Sequence, residues 1–151
     1  MNLSEEKVVY IATKDENVKI PMKATSGSAG VDLHANIELD LLLNSGDLVK
    51  IPTGISIALP DANFVALIFA RSGLAVNYGI TLSNGVGVVD SDYRGEIMVG
   101  LCNLSKNPYT IKPHERIAQL IIMPVSNLNF LKVPSLDKTQ RGTNGFGSTG
   151  K

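Results

Sequence analysis

Phe64-Val65-Ala66-Leu67-Ile68-Phe69-Ala70 is an unbroken apolar run. A strand covered on both faces has this pattern, in a sandwich or at a subunit interface; a buried helix also lacks alternation, and periodicity alone does not separate the two. The surroundings favour the strand. Fourteen Gly and seven Pro punctuate the 151 residues, so long helices have little room. Between them lie short segments rich in Val and Ile, at 7–12, 31–35, Leu48–Pro52, 55–59, 80–83, 96–101 and 117–123. Ile55, Ile57 and Leu59 alternate with Ser56 and Ala58, as in a strand with one face toward a core. With strands of about 5–6 residues and loops of about 4–6, roughly a dozen strands fit this length. The expected fold is a single all-β domain, a jelly-roll-like barrel or sandwich.

Composition removes several classes of function. Fourteen Lys and Arg balance fourteen Asp and Glu, so there is no broad basic field for nucleic acid or an anionic membrane. One cysteine, Cys102, makes no intramolecular disulfide, and with only His34 and His114 beside it there is no zinc framework. Cys102 reads as a small buried apolar residue. No apolar run approaches the ~18 residues of a membrane helix, and the start of the chain is polar and acidic instead of signal-like. A cytoplasmic protein with neither nucleic-acid nor membrane partners is expected.

One segment breaks the strand pattern. Ser72-Gly73-Leu74-Ala75-Val76-Asn77-Tyr78-Gly79 opens on an N-capping residue type and closes on a glycine, which predicts a helix of about two turns. Backbone N–H groups, the Ser72 hydroxyl and the Arg71 guanidinium would then converge on phosphate oxygens, or else form a simple cap beside a solvated arginine. The chain has only four arginines. Arg71, Arg94 and Arg141 each lie within two residues of a glycine, and Arg116 precedes an apolar segment. Arginine's planar fork suits phosphate better than lysine's point charge, so this placement hints at a phosphorylated ligand.

Asn84-Gly85-Val86-Gly87-Val88-Val89-Asp90-Ser91-Asp92-Tyr93-Arg94-Gly95-Glu96-Ile97-Met98 reads as a β-hairpin, with apolar arms at 86–89 and 96–99 around a turn-rich centre. Gly85 and Gly87 leave backbone open to a ligand. A carboxylate at the hairpin mouth either orients water as a general base or closes the turn. The last stretch, 135–151, has only Leu136 and Phe146 as large apolar residues and reads as a mobile arm after a β domain spanning 1–134. Its end satisfies most of GxxxxGK, but the chain stops where a helix should follow, so a phosphate-loop fold is rejected. Phe146 beside Gly147, Ser148 and Thr149, with Arg141 upstream, suits a lid that stacks on a planar base, or a terminus without function.

Taken together, five segments resemble the motifs of the trimeric dUTPase (deoxyuridine 5'-triphosphate nucleotidohydrolase) family, in order: Ala29-Gly30-Val31-Asp32-Leu33, Arg71-Ser72-Gly73-Leu74-Ala75, the stretch 84–98, Arg116-Ile117-Ala118-Gln119-Leu120, and 141–150. The resemblance implies a jelly-roll-like homotrimer with shared active sites. It implies dUTP hydrolysis to dUMP and pyrophosphate with Mg²⁺, limiting uracil in DNA and supplying dUMP for thymidylate synthesis. Asp90 would position and deprotonate the attacking water. Tyr93 would pack under the deoxyribose and leave no room for a 2′-hydroxyl. Asn84 and backbone near Gly87 and Met98 would bond uracil. Arg71, Ser72, Gly73 and Gln119 would contact the triphosphate, and Arg141, Gly147, Ser148 and Thr149 its far end, with Phe146 stacked on the base. Asp32 would stand in the outer shell of a Mg²⁺ held mainly by the phosphates.

The chain departs from the family pattern at Ala70, where proline is common, at His114, where glycine is, and at Asn144, which replaces a glycine. Two alternatives stand beside this: dCTP deaminase-type activity on the same fold and, of another class, a non-catalytic nucleotide-binding signalling module.

Overall fold

The structure, a computed structural model, describes residues 7–145. Strands β1 (Tyr10–Thr13), β2 (Val31–His34), β3 (Leu41–Leu43), β4 (Leu48–Pro52), β5 (Ile55–Ala58) and β6 (Phe64–Ala70) precede helix α1 (Ser72–Tyr78). Strands β7 (Ile80–Leu82), β8 (Gly87–Val89), β9 (Met98–Asn103), β10 (Tyr109–Ile111) and β11 (Arg116–Pro124) follow. All pairings are antiparallel. A four-stranded sheet has the order β2-β11-β6-β8 and a three-stranded sheet β4-β9-β7, with β1-β5 and β10-β3 as two-stranded ribbons. The fold is all-β and jelly-roll-like, with one short helix.

The core is built from the inward faces of these sheets. Leu33, Ile51, Ile55, Leu101, Ile111 and Ile117 are almost wholly buried, each contributing about 1.5–3 kcal/mol by removal from water. Ile55, Ile57 and Leu59 point inward as their alternation predicts. The run in β6 behaves differently on its two faces. Ala66 and Ile68 enter the core, whereas Val65, Leu67 and Phe69 are half-buried on the outer face. By register, Ile121 and Met123 of β11 and Val88 of β8 share that outer face. Val88 and Met123 keep 64% and 43% of their surface exposed. Within one chain, therefore, only one side of the apolar run is fully covered.

Asn103, at the end of β9, is fully buried, and its amide is satisfied throughout. Its Nδ2 donates to the Leu43 and Asn107 carbonyls, and its Oδ1 accepts from the Ser105 backbone N–H and hydroxyl. The free thiol of Cys102, next to it, is buried.

Two local expectations are corrected. Ser72 is the first helical residue and not the cap: Arg71 holds the cap position in extended conformation, with no side-chain cap bond. The helix ends as expected, on Gly79 in left-handed conformation with its N–H returned to Ala75. The 84–98 hairpin does not form. Strand β8 bonds to β6, β9 bonds to β4 and β7, and the chain between them crosses from one sheet to the other. His114 has φ 60°, the only positive φ of a non-glycine among the described residues. That accounts for glycine in the family pattern; Asn144 shows no such φ.

Beyond β11, residues 125–145 hold no regular structure and are almost entirely exposed. No described helix is long and apolar enough to cross a membrane.

Candidate active site

The four-stranded sheet positions the first group of predicted residues. Register sets Asp32 of β2 opposite Gln119 of β11, and Gln119 opposite Phe69 of β6. A register shift between Arg116 and Ala118 marks a β-bulge. Ile117 and Ala118 are consequently both buried in succession, and Arg116 is turned outward beside Asp32. Arg71 follows the last residue of β6. Its Nε donates to Asp32 Oδ1 at 2.9 Å, and Arg116 Nη1 donates to Asp32 Oδ2 at 3.1 Å. One carboxylate thus holds two guanidiniums, one on each oxygen. Gln119 Nε2 donates to the Ala70 carbonyl at 2.9 Å, bracing the residue before Arg71. Gly30 lets the chain enter β2 close against β11, since a Cβ there would lie 2.8 Å from the Leu120 carbonyl oxygen.

These residues open on a cleft of about 510 Å³ lined by Asp32, Arg71, Ser72, Gly73, Arg116 and Gln119 with residues 28–31. The N–H groups of the first helical turn have no partner within the helix. The cleft's chemistry suits a polyanion: two guanidiniums, one carboxylate, an amide and a hydroxyl. His34, opposite Arg116, has a buried Nδ1 without a hydrogen-bond partner. Burial, outweighing the pull of Asp32, holds its pKa below the ordinary imidazole value. A neutral imidazole there adds no third positive charge. The sequence sets Arg116 among the arginines that hint at a phosphorylated ligand but does not show its bond to Asp32; the adjacent apolar pair Ile117-Ala118 ahead of Gln119, which breaks alternation, is the available signal of the bulge.

The second group lines a separate cleft of about 230 Å³: Asn84, Gly87, Asp90, Tyr93, Glu96 and Met98, together with Ile68. Asp90 is exposed, and its carbonyl accepts the Tyr93 N–H at 3.2 Å in the turn. The Tyr93 hydroxyl donates to the Glu96 carbonyl at 3.1 Å. Gly95 is needed for that pose, because any Cβ there would overlap the Tyr93 phenol. Gly87 is buried and has a packing reason instead, since a Cβ there would meet Ile68 Cβ at 3.0 Å. Arg94 folds back on the turn, donating to the Ser91 and Tyr93 carbonyls.

The two clefts share no lining residue. Arg141 lines neither; it is exposed, with its Nε on the Asn144 carbonyl at 3.1 Å. Phe146, Gly147, Ser148 and Thr149 lie outside the described residues.

Among the described residues no three His, Cys, Asp or Glu side chains cluster as a metal cage. The donor set of the first cleft is a single carboxylate whose oxygens each already accept one guanidinium N–H and each keep a lone pair. Such a set would not cage a divalent ion alone, but its free lone pairs would suit the outer shell of a hard ion carried by an anionic ligand.

A jelly-roll-like β chain with an arginine-lined cleft and a separate turn-lined pocket is the class these features define. The chain belongs to the dUTPase family, whose pattern it matches over residues 16–150. It is 50% identical over 150 residues to deoxyuridine 5'-triphosphate nucleotidohydrolase of Desulfitobacterium hafniense strain Y51, covering 99% of each chain. It is 44% identical over 146 residues to the protein of that name from Fusobacterium nucleatum, covering 97% of this chain and 99% of the relative. Among solved structures, the Staphylococcus bacteriophage 80alpha dUTPase with dUPNHPP superposes at a TM-score of 0.86 and 22% identity, covering 95% of this chain and 99% of that one. A mutant dUTPase of S. aureus phage phi11, reported with a structural Mg(II) ion, gives 0.77 at 18% identity, covering 87% and 99%.

Proposed function

We propose that this chain is a dUTP diphosphatase, converting dUTP and water to dUMP and pyrophosphate. The observation that carries the reading is the Arg71–Asp32–Arg116 group opening on one cleft of a dUTPase-family chain. Relatives at 44–50% identity bear the dUTP nucleotidohydrolase name over nearly full length.

In this reading the triphosphate lies against Arg71, Ser72, Gly73 and Gln119. Asp32 keeps Arg71 oriented through Nε, so the guanidinium's Nη edge is available for phosphate oxygens. Asp90 takes a proton from water as the water oxygen bonds the α-phosphorus. The bond from that phosphorus to the bridging oxygen breaks, and pyrophosphate leaves without a covalent enzyme intermediate. A positioned general base of this kind contributes about 10²–10⁴-fold. Tyr93 lies under the sugar and excludes a 2′-hydroxyl. Asn84 and the backbone at Gly87 and Met98 bond uracil; cytosine reverses two donor and acceptor positions, leaving buried groups unpaired. Asp32 would stand in the outer shell of a Mg²⁺ held by the phosphates, an ion that would neutralise charge on the triphosphate.

The assembly in this reading is a homotrimer. Clefts without a common lining residue support sites completed between copies, and the half-open apolar face of Val65, Leu67, Phe69, Val88, Ile121 and Met123 supports burial against a second copy. The arm at 135–151 closes over the nucleotide, with Phe146 on uracil and Arg141, Gly147, Ser148 and Thr149 at the far phosphates. A cytoplasmic enzyme acting on free nucleotides is the corresponding setting. The test is pyrophosphate release from dUTP by wild type and Asp90→Asn. Release lost in the variant with dUTP binding kept supports the assignment; equal release by both refutes the role of Asp90.

A further inference from the structure

The crossover carrying Asp90 and Tyr93 is a loop between two sheets, and loops of this kind hold a pocket only if something fixes them. Four bonds converge at its far end. Glu96 Oε1 accepts the Gly54 N–H at 2.7 Å, and the Thr53 hydroxyl donates to the Ile97 carbonyl at 2.7 Å. The Ile97 N–H donates to the Ile55 carbonyl at 2.7 Å, and the Glu96 carbonyl accepts the Tyr93 hydroxyl. The platform on the other side is rigid. Thr53 and Gly54 are buried, and Gly54 sits at φ +71° with its vacant Cβ direction filled by Val18 and Asn36. Glu96 therefore grips that turn with its side chain and Tyr93 with its backbone, while itself lining the Tyr93 cleft.

We propose that Glu96 is the positioning residue for Tyr93: its carboxylate, bonded to the Gly54 N–H, fixes the carbonyl that holds the Tyr93 hydroxyl and so sets the depth of the sugar pocket. The inference rests on the dUTP reading above and deepens it. No proton is transferred by Glu96, and its effect falls on selection between deoxyribose and ribose. A glutamine retains an acceptor for the Gly54 N–H. An aspartate is one methylene too short to reach it, and an alanine leaves that buried N–H unpaired.

The experiment measures kcat/KM for dUTP and UTP with wild type, Glu96→Gln, Glu96→Asp and Glu96→Ala. The dUTP-over-UTP ratio is expected to fall about tenfold or more in Glu96→Ala and Glu96→Asp, and to stay near wild type in Glu96→Gln, since sub-ångström misplacement of a positioning contact costs on that order. If the alanine variant does not fold, the aspartate variant decides. A residue with a merely structural role would lower both substrates equally, so an unchanged ratio in Glu96→Asp overturns the proposal, as does an equal fall in Glu96→Gln. A wild type that does not hydrolyse dUTP overturns the parent reading, and this one with it.

Discussion

Arg71 Nε and Asp32 Oδ1, 39 positions apart in sequence, lie 2.9 Å apart at the rim of the larger cleft, each side chain about one-quarter exposed. The second oxygen of the same carboxylate holds Arg116. Hydrogen bonds involving a charged group typically contribute about 1.5–3 kcal/mol net. Asp32→Asn keeps one acceptor, removes the charge, and leaves two guanidiniums side by side. Its KM for dUTP is expected to rise about 10–100-fold, the equivalent of that energy, with a smaller fall in kcat. An unchanged KM would show that Asp32 does not orient Arg71.

The outer face of β6 gives a second expectation. Leu67 is half-buried within the chain and stands beside Ile121 and Val88. Leu67→Asp would set a charge in the apolar contact proposed between copies, where an unpaired ion costs several kcal/mol. Wild type is expected to sediment as a trimer and Leu67→Asp as a monomer with little activity. A wild-type monomer with full turnover would remove the shared-site account.

Deleting residues 144–151 is expected to leave the trimer and its melting temperature unchanged while abolishing most turnover, because β11 ends at Pro124 and the described part of the tail makes few bonds to the domain. Full activity after truncation would contradict the closing arm.

Some of this was legible from residue order alone. The run Phe64–Ala70 announces a strand, and the alternation at Ile55, Ile57 and Leu59 is kept in the core. The short strands Leu41–Leu43 and Tyr109–Ile111 were not read, because three residues show no periodicity and their pairing partner is some seventy positions away. The 84–98 segment looked like a hairpin for a local reason: two apolar arms around a turn. Their hydrogen bonds go instead to β6, β4 and β7, partners local pattern does not reveal. At the two clefts, the lining by Asp32, Arg71, Ser72, Gly73 and Gln119 and by Asn84, Gly87, Asp90, Tyr93 and Met98 follows the motifs, but two relations were not legible. The bulge that turns Arg116 onto Asp32 and the Glu96 bond to Gly54 both join segments more than forty residues apart.

Tyr109 supplies a pH dependence away from the site. Its hydroxyl donates to the Glu115 carboxylate, and burial first, then that bond, push its pKa above the ordinary value of 10.0. A raised folded-state pKa stabilises the fold below the unfolded value and is lost as pH rises past it. Urea unfolding is therefore expected to show a fall in wild-type stability above about pH 10 that is smaller in Tyr109→Phe. Parallel pH profiles for the two proteins would contradict the assignment.

The most direct test of the central claim is pyrophosphate release by the wild-type protein with Mg²⁺ on dUTP, dCTP, dTTP and UTP, with ammonia followed in the dCTP reaction. Rapid release from dUTP, little from the other three and no ammonia is the expected result. No release from dUTP, or ammonia from dCTP, would contradict it.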